Sequence, residues 1–96
     1  MITRENILGV LHKRKQFFES ELGVKSIGLF GSYARANYKA GSDVDILVDM
    51  PPNFSHMCLI WKILEEELQA KVDLVRLGTH LRKSFIADIS KEIVYA

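Results

Sequence analysis

One cysteine, Cys58, is all the chain has, so no internal disulfide can form. His12, His56 and His80 lie far apart, with no cysteine or second histidine at metal-ligand spacing, which argues against zinc. A basic excess is also lacking: 13 Lys and Arg against 12 Asp and Glu leave a formal charge of +1. That balance speaks against a broad electrostatic grip on duplex nucleic acid. No apolar run approaches the roughly 20 residues that span a bilayer. The start, MITRENILGVLHKRK, breaks its apolar residues with charge and has no small-residue cleavage site, so the expected location is cytoplasmic. His12, Lys13, Arg14 and Lys15 form a short basic run, which reads as a solvated helix face.

What remains is 48% hydrophobic and 26% charged, the make-up of a globular protein. Its 96 residues read as a single domain, 1–96, of a size that buries roughly two-thirds of its unfolded surface. Thr3 can cap a first helix to about Leu22, with Ile7, Leu11, Phe18 and Leu22 on one face and Gly23 as its stop. Val24 to Phe30 reads as a buried strand that halts at Gly31, and a short helix begins at Ser32. Asn37, Gly41 and Ser42 turn the chain into the strand Asp43 to Asp49. Beyond Pro51 and Pro52, Ser55 can cap a helix through about Ala70, with Met57, Ile60, Trp61, Leu64 and Leu68 as its apolar stripe and Glu65, Glu66 and Glu67 mostly facing water. Lys71 to Arg76 is a third strand, Leu81, Phe85 and Ile89 mark a last helix, and Ile93 to Tyr95 adds a short strand. The fold class is α/β, in the α+β sense: a small sheet with helices packed on it.

The acids within these strands carry the functional reading. Asp43 and Asp45 open an otherwise apolar segment and project from the same side, their α-carbons roughly 6.6 Å apart. Two such carboxylates repel, and a divalent cation compensates both; hard oxygen donors suit Mg²⁺ or Mn²⁺. Asp73, between Val72 and Leu74, is expected on buried backbone, where a lone carboxylate is costly unless paired. Should its strand adjoin Asp43 to Asp49, three acids meet and two metals fit, as in nucleotidyl transfer. A backbone amide or a lysine could satisfy Asp73 instead.

Gly31 and Ser32 fall where an apolar strand gives way to a helix, so free backbone N–H groups can face an anion there. Gly31 permits close approach, Ser32 adds a hydroxyl, and Arg35 shares Ser32's helical face. Lys39 can reach in from the loop. A Gly-Ser pair alone is usually only a turn, and Arg35 could pair with a surface acid instead. The joint pattern is more specific: Gly31-Ser32, ten residues, Asp43-x-Asp45, then Asp73.

The stretch GLFGSYARANYKAGSDVDILVDM resembles the signature of the DNA polymerase beta-like nucleotidyltransferase superfamily, in its smallest branch, the minimal nucleotidyltransferases. The resemblance covers nearly the whole chain. It implies a small mixed sheet with helices on it, the polymerase beta-like palm. Gly31, Ser32, Arg35 and Ser42 would then bind the triphosphate of ATP, while Asp43, Asp45 and Asp73 ligate two Mg²⁺ ions, with Asp73 also helping to activate the acceptor hydroxyl. One departure stands out: many members have glycine where this chain has Ala36. Such domains often act as antitoxins beside a helical HEPN partner, and some transfer AMP from ATP to a tyrosine of that partner. The resemblance thus implies an adenylyltransferase whose acceptor comes from another chain, in a hetero-oligomer or a homodimer. Two alternatives stay open: a binding module that neutralises its partner by occlusion, and a transferase acting on a small molecule.

Overall fold

The computed structural model describes residues 2–96. Elements follow in the order α1 (Arg4–Leu22), β1 (Ser26–Phe30), α2 (Gly31–Ala34), β2 (Val44–Asp49), α3 (Phe54–Leu68), β3 (Val72–Arg76), α4 (Lys83–Ser90) and β4 (Val94–Tyr95). The sheet order is β3-β2-β1-β4, with β2 and β3 parallel and the other two pairings antiparallel. This is the mixed sheet expected.

Local chemistry explains the ends of α1. The Thr3 hydroxyl accepts the Asn6 N–H while the Asn6 side chain accepts the Thr3 N–H, both at 3.1 Å, a reciprocal cap that satisfies two otherwise orphan donors. Gly23, at φ +74°, takes the left-handed conformation that ends the helix. Ile7, Leu11, Phe18 and Leu22 are all buried, as their spacing predicts.

Helix α3 differs from expectation at both ends. Its cap is Asn53, whose side chain accepts the His56 N–H at 3.0 Å, so the helix starts two residues before Ser55 could have capped it. It stops at Leu68, where Gln69 turns left-handed at φ +51°. Ile60, Leu64 and Leu68 are buried, but Trp61 is 44% exposed. The indole sits at the sheet margin, where its Nε1–H donates to the Val72 carbonyl at 2.9 Å. Glu65 does not face water either: its Oε2 accepts the Val72 N–H at 2.7 Å. Two α3 side chains thereby occupy the outward backbone groups of Val72 on the edge strand, one way of blunting an open edge.

The basic run on α1 also departs from a purely solvated face. Arg14 pairs with Glu67 of α3, and Lys13 lies 3.9 Å from the same carboxylate. The Arg14 hydrogen bond pulls the Glu67 carboxyl below its usual range, and the same bond raises the guanidinium. The pair clips α1 to α3 above the sheet.

Alternation along the strands divides the sheet into two unequal faces. Ile27 and Leu29 of β1, Val44, Ile46 and Val48 of β2 and Val72 of β3 join α1 and α3 in the main core. On the other face Phe30 and Leu47 meet Ile89 of α4, with Val75 and Ile93 against them. Helix α4 covers that face only partly, and Phe85 remains 37% exposed. With a two-residue period, Asp43 and Asp45 share the face of Leu47, and Asp73 that of Val75.

Candidate active site

The chemistry-bearing residues collect at one end of that thinner face. Phe30, the last residue of β1, pairs with Asp45 near the start of β2, and Asp45 pairs with Asp73 near the start of β3. The parallel β2–β3 register therefore sets the two residues side by side on strands about 4.8 Å apart, with both side chains on the same face. This is the adjacency that composition and spacing alone left open. Asp43 lies just ahead of β2, which begins at Val44 rather than at Asp43. The reason given for Asp73 needs correction: its side chain is exposed on the edge strand, so burial does not force it to find a partner.

Electrostatics tie the three acids together. Asp45 is pushed from 3.8 up to about 6, first by burial, then by the negative charges of Asp73 and Asp43, while Arg35 pulls the other way. Crowded carboxylates of this kind are what a hard divalent cation relieves. Among the described residues no three acidic, imidazole or thiol groups close into a ready ligand sphere. Mg²⁺ ordinarily takes one or two carboxylates and completes its octahedron with water and substrate phosphate. The donor set therefore fits Mg²⁺ as an open site rather than as a protein cage.

Gly31 packs directly on this cluster. Its φ of +75° is left-handed, and a β-carbon there would overlap the Asp45 carboxylate, so only glycine fits. Ser32 follows in the first turn of α2, half-buried, and its N–H has no acceptor within so short a helix. The expectation that Gly31's own N–H is free does not hold, because it donates to the carboxylate of Glu92. Arg35 is half-exposed and also pairs with Glu92, at 2.8 Å. Ser42 closes a turn: its hydroxyl accepts the Lys39 N–H at 2.9 Å, and its own N–H donates to the Lys39 carbonyl. Ser42 and Asp43 line a groove of about 360 Å³ with Tyr33, Gln69 and Lys71. Lys39 is exposed on the same loop. Tyr33, buried beneath that loop, stacks on Tyr38 with ring centres 4.1 Å apart and holds the excursion against the core.

Glu92 is the residue that sequence reasoning missed. It becomes part of the site because β4 runs antiparallel to β1, with Leu29 opposite Val94, which returns residue 92 to the level of Gly31. The one available signal was the unassigned partner of Arg35.

The model of the nucleotidyltransferase domain family matches residues 11–96 of this chain. Among curated proteins, the protein adenylyltransferase MntA of Thermococcus cleftensis is 37% identical over 97 residues, covering 99% of this chain and 97% of its own length. A solved structure described as a toxin-antitoxin with AMP-PNP superposes with a TM-score of 0.69 at 21% identity, over 98% of this chain and 72% of the other. A second, of a tri-AMPylated Shewanella oneidensis HEPN toxin in complex with an MNT antitoxin, gives 0.68 at 19% identity, over 97% and 71%. At those identities the two structures speak for the fold alone, a mixed sheet with helices packed on it. With a glycine turn seated on a pair of adjacent strand carboxylates and a family match over most of its length, the chain belongs to the nucleotidyltransferase domain family.

Proposed function

We infer that this nucleotidyltransferase moves AMP from ATP to a hydroxyl on a partner protein, a tyrosine of a HEPN-type toxin, and so silences it as an antitoxin. The whole chain, 1–96, acts as one catalytic domain in the cytoplasm, and no described helix is long and apolar enough to cross a membrane. The observation that carries this reading is the alignment of Asp45 with Asp73, with Gly31 pressed against Asp45. The 37% identical relative named for protein adenylyl transfer supports the choice of reaction. The two structural neighbours, one holding AMP-PNP and one an AMPylated HEPN toxin, support the choice of nucleotide and partner.

The residues divide the work by position across the sheet end. On the β1 side, the Ser32 N–H and hydroxyl and the unused N–H groups of Arg35 meet the triphosphate. In the middle, Asp43 and Asp45 would hold Mg²⁺, with Asp73 completing the set. Bound there, the cation supplies charge compensation at the α-phosphate and at the attacking oxygen. On the β3 side, Asp73 is open to solvent, so an acceptor hydroxyl can approach it from outside the sheet and be oriented by its carboxylate. Attack of that oxygen on the α-phosphorus forms the new O–P bond as the bond to the β-phosphate bridge breaks, pyrophosphate leaves, and the hydroxyl proton is lost to the carboxylate side. Order across the strands thus matches an in-line displacement: leaving group over β1, acceptor over β3. Positioning and charge compensation are the main contributions, since little covalent chemistry is asked of the protein.

The test is the intact mass of the partner after incubation with the chain, ATP and Mg²⁺. An added AMP, lost with Asp45→Asn, is the expected outcome. Tight binding with no mass change would instead favour neutralisation by occlusion.

A further inference from the structure

Glu92 takes no part in the chemistry above, yet it is fastened to two of the residues that do. It lies in the turn between α4 and β4, 61 residues beyond Gly31, and both its carboxylate oxygens are engaged. One accepts the Gly31 N–H; the other accepts an Nη1–H of Arg35 at 2.8 Å. The glutamate side chain is only 21% exposed, whereas that of Arg35 is 49% exposed, so the carboxylate is the packed member of the pair and the guanidinium the solvent-facing one. Only Nη1 is used, which leaves the Nη2 and Nε donors of the guanidinium free. Without this anchor, a half-exposed cation on a four-residue helix has two other destinations: solvent, or the negative charge of Asp45, on which Arg35 already acts. Either would remove it from a phosphate, and the second would neutralise a metal ligand.

We propose that Glu92 is a positioning residue for nucleotide binding: its carboxylate fixes the Gly31 turn and holds Arg35 off Asp45, leaving the Nε and Nη2 donors free for the triphosphate. The role rests on the reading of the site as a nucleotide site and goes beyond it by giving the C-terminal segment a part in substrate affinity. A charge-assisted contact of this kind is worth about tenfold in binding.

Glu92→Gln tests it, because the amide keeps an acceptor for Gly31 but loses the charge that holds Arg35. Titration with Mg²⁺ and a non-hydrolysable ATP analogue should show about tenfold weaker binding, with KM for ATP raised by the same factor and kcat within about twofold. In an Arg35→Ala background the same substitution should change affinity by less than about twofold, since the residue it acts through is gone. The Gly31 amide resonance should move while the rest of the amide spectrum stays in place. Unchanged or tighter binding in Glu92→Gln would overturn the proposal, the latter by making the carboxylate a competitor for the phosphate position. A full tenfold loss that persists without Arg35, or a spectrum altered throughout, would overturn it as well. Failure of the wild-type chain to transfer AMP would count against the proposed reaction, while the analogue titration would still decide on Glu92.

Discussion

Asp45→Asn should make the metal-free domain more stable as it removes its activity. Asp45 is raised from 3.8 to about 6 by burial and by Asp73 and Asp43, so the folded state holds this proton more tightly than the unfolded chain does. The sign follows: below about pH 3.8 the carboxyl is neutral in both states and costs nothing, and above about pH 6 the full penalty of a crowded, half-buried anion is present. A rise of that size corresponds at most to ~3 kcal/mol, and partial solvent screening reduces it to ~1.5 kcal/mol. For a chain of 96 residues the unfolding entropy is ~0.2 kcal/mol/K, so ~1.5 kcal/mol moves Tm by about 7 °C. Thermal unfolding in EDTA at pH 7.5 should therefore place D45N about 7 °C above wild type, and the gap should close as pH falls towards 4. Addition of Mg²⁺ and an ATP analogue should reverse the order, because a ligand at about 100 times its Kd stabilises only the protein that binds it, by ~2.7 kcal/mol. A variant that melts at or below wild type in EDTA at pH 7.5, or a difference indifferent to pH, would refute the argument that burial and the neighbouring acids penalise the Asp45 carboxylate.

Two further substitutions probe the same end of the sheet. Gly31→Ala combines a left-handed φ with a β-carbon that meets Asp45, and should cost ~2 to 3 kcal/mol in urea unfolding and abolish transfer. Ala36 sits at φ +60°, a conformation strained for any residue with a β-carbon, so Ala36→Gly should raise stability by ~0.5 to 1 kcal/mol and leave kcat within about twofold.

The resemblance led one to expect glycine at position 36, and the left-handed backbone of Ala36 at φ +60° supplies a physical reason for that expectation. Much else at the site could be read ahead of the structure, because the features are local. The alternation of Asp45 with Val44 and Ile46 dictates which face it occupies, and the apolar run ending at Gly31 marks where the first strand gives way. The strand and helix order was legible for the same reason, down to ends that shifted by one or two residues when a competing cap, Asn53 over Ser55, won. What could not be read was long-range. That β2 and β3 are parallel with Asp45 beside Asp73 is a property of the β2–α3–β3 crossover and not of either segment. The placement of Glu92 depends on β4 pairing with β1 across more than 60 residues. Trp61, Glu65 and Glu67 were misread for a related reason: helix periodicity says which side faces the sheet, but not that the sheet ends beneath that helix or that Arg14 waits on another one.

The central claim is that Asp43, Asp45 and Asp73 gather divalent cations beside a triphosphate held at Ser32 and Arg35. Its most direct test is a crystal structure with Mn²⁺ and a non-hydrolysable ATP analogue, in which anomalous scattering locates the metal. The account predicts manganese between the Asp43 and Asp45 carboxylates and the phosphate oxygens, with Asp73 turned towards it and the β- and γ-phosphates on the Ser32 N–H. Manganese bound elsewhere, or a triphosphate seated away from Ser32, would contradict it.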